Sequence, residues 1–205
     1  MYLISDTIIF EHEYNEPLNN KLISKYKKIF FSDYKLSKDI CKAYENNNFN
    51  NFIFRLSKFN QKVNLVTTQL THLFFGYHFN QKVNELPPTL THLTFGCEFN
   101  QKVTKLPQLL THLTFGDNFN QEVTNLPGQL THLTVGSCFN QEVTMLPQLL
   151  THLTFGYRFN QEVCKLPSFI THLTFGYSFI EPNIYLPLGI KYLKLDCNNS
   201  ILIPY

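Results

Sequence analysis

Residues 106–123 read LPQLLTHLTFGDNFNQEV, and nearly the same string returns every 20 residues through the middle of the chain. Each unit has one short segment, Thr-His-Leu-Thr-Phe, in which polar and apolar residues alternate before a glycine. Such alternation with β-branched and aromatic residues is typical of a strand. Self-similarity at a short fixed period is the signature of a repeat architecture. The string therefore predicts a solenoid.

The length of the unit indicates which kind of solenoid is expected. The rest of each unit must make two turns and a return leg that contains proline, so we expect return legs that are extended or 3₁₀. We predict a mainly β, leucine-rich-repeat-like solenoid of about ten rungs of 20–23 residues, with one short parallel strand in each rung. The predicted rungs are centred on residues 10, 31, 54, 75, 95, 115, 135, 155, 175 and 195.

The whole chain, residues 1–205, is predicted to form a single solenoid domain. Residues 1–55 look like degenerate N-terminal rungs and a cap, with strands expected at 26–31 and 49–54. Residues 56–185 hold the regular repeats, and residues 186–205 the C-terminal rung and cap.

Composition excludes several classes of protein. A hydrophobic fraction of 43% with 16% charged residues argues against disorder, and a net charge of +2 against a nucleic-acid or polybasic membrane binder. The longest apolar runs fall short of a membrane-spanning helix, and the first residues do not resemble a signal peptide. Five cysteines without paired spacing fit reduced thiols. We expect a soluble intracellular protein with no nucleic-acid or membrane partner.

Repetition turns each position of the unit into a column. Leu113 and Phe115 are predicted to face the core, and His112 and Thr114 the outer face of the sheet. Gly116 ends the strand, and we expect a positive φ there. An asparagine column lies beside the core and predicts a ladder of amides bonded to one another and to turn backbone. Its members are Asn80, Asn100, Asn120, Asn140 and Asn160.

A histidine column on the sheet face supports two interpretations. It can be a stacking and hydrogen-bonding row flanked by threonines, or a row that binds Zn²⁺ or Cu²⁺. In either case neighbouring positive charges would repel one another and lower the pKa of later protonations. The members are His72, His92, His112, His132, His152 and His172.

A charged column changes sign halfway along the chain. Lys62, Lys82 and Lys102 are followed by Glu122, Glu142 and Glu162. This lysine–glutamate stripe is either drift on a solvated edge or a self-complementary surface, since antiparallel pairing of two copies sets lysine against glutamate. A homodimer through the stripe or through a terminal strand edge is therefore one expectation.

The two variable residues after each glycine form a row that we call the ridge. Such variation indicates either absence of constraint or a surface that recognises a partner, and tyrosine and arginine are frequent anchors of interfaces. The predicted contact residues are Tyr77, His78, Asp117, Tyr157, Arg158 and Tyr177.

The sequence contains no phosphate-binding glycine loop, no Gly-x-Ser-x-Gly elbow and no cysteine pair with metal spacing. Nothing in the repeat forces two carboxylates into one pocket. We therefore predict no enzyme activity and no cofactor.

The unit Leu-Pro-x-x-Leu-Thr-His-Leu-Thr-Phe-Gly-x-x-Phe-Asn-Gln-x-Val resembles the FNIP repeat, a relative of leucine-rich repeats. The resemblance covers about residues 59–179. Family members usually have proline after the glutamine position, as in Glu16-Pro17-Leu18, whereas lysine or glutamate stands there in the central rungs. Such proteins are known mainly from social amoebae and from giant viruses that infect amoebae.

The resulting hypothesis is a non-catalytic protein-interaction scaffold. Its partner would be an unidentified protein, a host protein if the chain is viral, and its location would then be the host cytoplasm. The family resemblance implies an alternative, the substrate-recognition part of a ubiquitin-ligase adaptor or a decoy for one, although no F-box pattern is visible. The metal-binding histidine column is the third hypothesis.

Overall fold

The computed structural model describes residues 1–33, 56–65, 69–143, 145–163, 166–180 and 186–196. Within these ranges the strands are β1 (Tyr2–Ile4), β2 (Thr7–Phe10), β3 (Lys28–Phe31), β4 (His72–Phe74), β5 (His92–Thr94), β6 (His112–Thr114), β7 (His132–Thr134), β8 (His152–Thr154), β9 (His172–Phe175) and β10 (Tyr192–Leu195). One short helix, α1, spans Asn20–Ile23. No helix in these ranges is long and apolar enough to cross a membrane.

The strands join one sheet in which each strand lies beside the next one along the chain. β1 and β2 pair antiparallel, and every later pair from β2 to β10 is parallel. The register follows the repeat, so that His92 faces His112 and Leu93 faces Leu113. The prediction of a mainly β solenoid with one short parallel strand per rung is confirmed.

The described sheet has nine parallel strands, one fewer than the ten rungs predicted. β3 pairs directly with β4. The backbone N–H of Lys58 donates to the carbonyl oxygen of His12, and that of His78 donates to Ser57. Residues 57 and 58 therefore lie in the same rung as β3. The strand predicted at residues 49–54 lies outside the described residues, and the sheet leaves no position for a rung between β3 and β4.

Two columns of phenylalanine fill the core. The ring centroids of Phe95 and Phe99 in one rung are 3.8 Å apart, and Phe99 lies 6.1 Å from Phe119 in the next rung. All three rings are fully buried. Burial of one such ring stabilises the fold by about 1.5–3 kcal/mol. Because each ring is covered partly by the next rung, stability depends on the contacts between neighbouring rungs.

The glycine column is required by close contact between rungs. The expected positive φ is wrong, since no glycine in the described residues has one. A Cβ atom on Gly116 would instead overlap the carbonyl oxygen of Gly96, at well under 3.0 Å. The same overlap recurs at Gly96, Gly136, Gly156 and Gly176. Only a residue without a side chain fits between the stacked backbones.

We expect Gly116→Ala to lower the free energy of unfolding by at least about 2 kcal/mol, because the added methyl group must push two rungs apart. Gly128→Ala is the matched control, since a Cβ there meets nothing within 4 Å. It should change stability by less than about 0.5 kcal/mol. Urea unfolding followed by circular dichroism measures both, and equal midpoints for the two variants would contradict the packing argument.

Candidate interaction surfaces

The sheet face carries a threonine column beside the histidine column. The hydroxyl of Thr91 donates to the carbonyl oxygen of Thr71, 3.0 Å away, and lies 2.9 Å from Nδ1 of His92. The same contacts recur in each rung from Thr111 to Thr171. Because Thr91 donates its hydroxyl proton to the carbonyl oxygen of Thr71, Nδ1 of His92 must be the donor in its hydrogen bond with the Thr91 hydroxyl oxygen. We therefore assign the neutral imidazole proton to Nδ1.

The six imidazoles stack face to face. Successive centroids from His72 to His172 are 4.1 Å apart, with the rings 8–13° from parallel. The Nε2 lone pairs of parallel rings run side by side, whereas tetrahedral Zn²⁺ needs ligands that converge at about 2.0–2.1 Å. In the described part of the chain no three His, Cys, Asp or Glu side chains are grouped to hold a metal ion. Metal binding by this column stays a prediction that requires the rings to turn.

Burial and electrostatic repulsion lower the pKa of five histidines of the column. Burial is the larger cause of each lowered pKa, with positive charge on neighbouring groups second. The histidines with lowered pKa values are His72, His92, His112, His132 and His152. The pKa of His92 is lowered to about 4. Repulsion between neighbours follows from the repeat, but the larger contribution of burial does not.

We expect the free energy of unfolding to fall as the pH is lowered from about 6.5 towards the pKa of about 4 at His92. In this window the unfolded chain takes up protons on its histidines more readily than the five histidines with lowered pKa values do in the folded chain, so protons favour unfolding. The measurement is the urea midpoint against pH for the wild type and for His92→Gln with His112→Gln. The variant should lose less stability on acidification. Identical pH profiles for the wild type and the variant would contradict the lowered pKa values of His92 and His112.

The asparagine column forms hydrogen bonds from rung to rung. Oδ1 of Asn100 accepts the backbone N–H of Asn120 at 3.0 Å and Nε2 of Gln121 at 3.0 Å. The backbone contact runs from Asn15 to Asn160. The column is half-buried or exposed, outside the deep core. It supplies hydrogen bonds between neighbouring rungs where the chain has left the sheet.

Asn120→Ala should lower the free energy of unfolding by about 1–2 kcal/mol. The change leaves the backbone N–H of Asn140 and Nε2 of Gln141 without their acceptor. Asn118→Ala removes the same amide from an exposed turn and should have little effect. Thermal unfolding of both variants tests the difference, and a neutral Asn120→Ala would show that water replaces the ladder at no cost.

The ridge consists of turn tips that stack directly on one another. Its pairs are residues 77–78, 97–98, 117–118, 137–138, 157–158 and 177–178. The backbone N–H of Glu98 donates to the carbonyl oxygen of Tyr77 at 3.0 Å, and that of Ser178 donates to Tyr157 at 2.9 Å. Side chains that are 20 residues apart are therefore neighbours along the ridge.

In the first half of the ridge, predicted contact residues are engaged with their neighbours. The ring of Tyr77 meets that of His78 edge-on, with centroids 4.9 Å apart. Nδ1 of His78 lies 3.0 Å from Oε2 of Glu98. Oδ1 of Asp117 accepts the hydroxyl of Ser137 at 2.7 Å. These contacts partly occupy the polar groups that a partner would bind.

The second half of the ridge presents exposed aromatic surface. Tyr157 and Tyr177 stack with centroids 5.2 Å apart and rings 5° from parallel. Their exposed fractions are 53% and 42%. Arg158 beside them is exposed, and its guanidinium makes no hydrogen bond or ion pair with any residue that the structure describes. The structure thus brings these three predicted residues together at one end of the ridge.

Sequence reasoning missed Asp33, which anchors the start of the ridge. Its Oδ1 accepts the backbone N–H of Ser57 at 2.8 Å and that of Tyr77 at 2.9 Å. Burial raises the pKa of this carboxyl. Asp33 lies in a degenerate rung outside the regular period, and its place just after a strand was the one available signal.

A row of exposed apolar residues was also missed. Leu109, Leu149 and Phe169 occupy equivalent turn positions and are 55%, 43% and 61% exposed. The sequence did contain a signal for this exposure. The same column holds the polar residues Thr89 and Gln129 in other rungs, which indicates a solvent-facing position. The row is a second apolar surface.

Comparisons with known proteins agree with this geometry. A family model described as FNIP Repeat matches residues 59–98, 99–138 and 139–163. Among solved structures the chain is similar to CroV588, a giant-virus protein described as a novel circular LRR protein structure, with a TM-score of 0.64 and 34% identity. The similarity covers 91% of this chain and 29% of that chain, so the present chain spans less than a third of that protein. No curated protein matches.

Proposed function

The chain belongs to the FNIP-repeat family, and from this premise we propose that it is a non-catalytic scaffold that binds a protein partner through Tyr157, Arg158 and Tyr177. One observation carries the proposal, namely the stacked and exposed tyrosine pair beside an exposed arginine. The likeness to a leucine-rich-repeat structure supports the scaffold part, since solenoids commonly present extended binding surfaces.

The constant columns of the repeat already have partners inside the solenoid. Oδ1 of Asn100 accepts two hydrogen bonds, and the hydroxyl of Thr91 bonds to the preceding rung. A partner that bound these groups would have to displace existing contacts. Ridge side chains differ between rungs and project from turn tips, where recognition residues are commonly placed on a rigid scaffold.

The three residues have the chemistry of an interface anchor. Tyrosine gives a large amphipathic contact area at low cost in rotamer entropy. The stacking of Tyr157 on Tyr177 holds both rings before binding, which reduces the ordering cost of association. Arg158 adds donors for a carboxylate or a carbonyl oxygen. A partner segment with an acidic group beside an apolar one fits this surface.

The polar groups that could take part in catalysis support binding better than chemistry. The histidine rings are stacked on one another, and the pair of His78 and Glu98 stands on a solvent-facing turn tip. Acid–base catalysis needs groups that converge on one reacting atom. The scaffold proposal accounts for these groups without a substrate.

Site-specific photocrosslinking identifies the partner. A benzophenone amino acid replaces Tyr177, or Tyr77 as a control on the same ridge five rungs away. After irradiation in cells that express the protein, we expect a protein captured from position 177 and not from position 77. Equal capture from the two positions would contradict recognition by the second half of the ridge.

The purified partner then tests the three residues directly. Tyr157→Ala with Arg158→Ala should weaken binding at least about tenfold, as loss of an interface anchor does. Tyr77→Ala with His78→Ala removes an aromatic and a basic side chain from the other half and should leave Kd within about twofold. Calorimetry or biolayer interferometry gives both values, and an unchanged Kd for the first variant would contradict the proposal.

A further inference from the structure

We propose that a second copy of this chain binds along the lysine–glutamate stripe in an antiparallel two-fold arrangement. The stripe is one column of the repeat, with three lysines followed by three glutamates: Lys62, Lys82, Lys102, Glu122, Glu142 and Glu162. It uses different residues from the ridge, so the dimer is independent of the proposed protein partner.

All six charged side chains are exposed. None of them makes an ion pair or hydrogen bond with another residue in the part of the chain that the structure describes. Their backbone is nevertheless held on both sides. Gln81 bonds through Nε2 to Oδ1 of Asn60 at 3.1 Å, and Val83 is buried in the core. Lys82 therefore projects from a rigid position with its charge available to a partner.

In the isolated chain, like charges neighbour each other along most of the stripe. Successive rungs are separated by about 4.8 Å, so Lys82 lies between two lysines and Glu142 between two glutamates. Like charges placed directly side by side are unfavourable. The column alone does not relieve this repulsion, because its sign changes once, between Lys102 and Glu122.

A two-fold axis at that sign change converts the repulsion into attraction. It runs in the plane of contact, perpendicular to the stripe, and reverses the direction of the second copy. Lys102 then faces Glu122 of the second copy, and Lys82 faces Glu142. Lys62 and Glu162 meet at the ends. Each contact occurs twice, as an isologous interface requires.

Two grooves of similar size lie along the stripe. The first has a volume of about 500 Å³, and residues lining it include Lys62, Gln81, Lys82, Glu85 and Gln101. The second has a volume of about 550 Å³, and residues lining it include Glu122, Gln141, Glu142 and Gln161. The two grooves are lined by equivalent positions of the repeat, three rungs apart. They therefore differ mainly in the charge of the side chains that line them. Each can receive side chains from the opposite half of a second copy.

Sedimentation velocity measures the association. At about 0.02 M salt the wild type should form a dimer, and at about 0.5 M salt its dissociation constant should rise at least tenfold because the ion pairs are screened. A chain that stays monomeric at about 10⁻⁴ M in low salt would overturn the proposal.

Two charge reversals of equal net charge test the antiparallel register. Lys82→Glu with Glu142→Lys exchanges the members of one predicted contact and should keep the dissociation constant within about threefold of the wild type. Lys82→Glu with Glu122→Lys reverses one member of each of two different contacts and should weaken the dimer at least tenfold. Equal dissociation constants for the two variants would overturn the arrangement. The six positions are exposed, so both proteins should fold alike.

Discussion

Close contact between the glycine backbones of successive rungs is the constraint on which the rest of the structure depends. The carbonyl oxygen of Gly96 occupies the space that a side chain on residue 116 would need. Together with the parallel hydrogen bonds, this contact keeps the rungs at the spacing of a parallel sheet, about 4.8 Å. Every other column inherits that spacing, so side chains in successive rungs meet their own copies.

Stacking like on like has different consequences for different side chains. Phenylalanine rings are buried by their copies in the neighbouring rungs. Asparagine gains a hydrogen bond, because its side-chain oxygen accepts a backbone N–H from the next rung. Ionised groups repel one another. For His92 this repulsion adds to the larger effect of burial, which lowers its pKa to about 4, whereas the charged side chains of the lysine–glutamate stripe lie on an exposed edge. We therefore place the proposed recognition at the second half of the ridge and at that edge, where Arg158 and the charged side chains of the stripe are exposed.

The period of the repeat was sufficient to predict much of this arrangement. It placed Phe115 in the core and His112 on the sheet face, because alternation assigns each residue of a strand to one side. It also predicts that Tyr157 lies beside Tyr177, because residues that are 20 apart occupy the same position in neighbouring rungs. The parallel solenoid and the neighbours within each column were thus determined by the sequence itself.

Only the tertiary structure decided how the irregular part of the chain pairs and how closely the rungs approach. β3 pairs directly with β4, although the residues between the two strands do not follow the period, so the described sheet has nine parallel strands where the period predicts ten rungs. Gly116 is required by its contact with Gly96, and Asp117 is tied to Ser137, although both had been explained by other roles. The period of a repeat predicts which residues are neighbours. Close contacts, burial and pKa shifts depend on distances between atoms, which are fixed only when the backbones pack together.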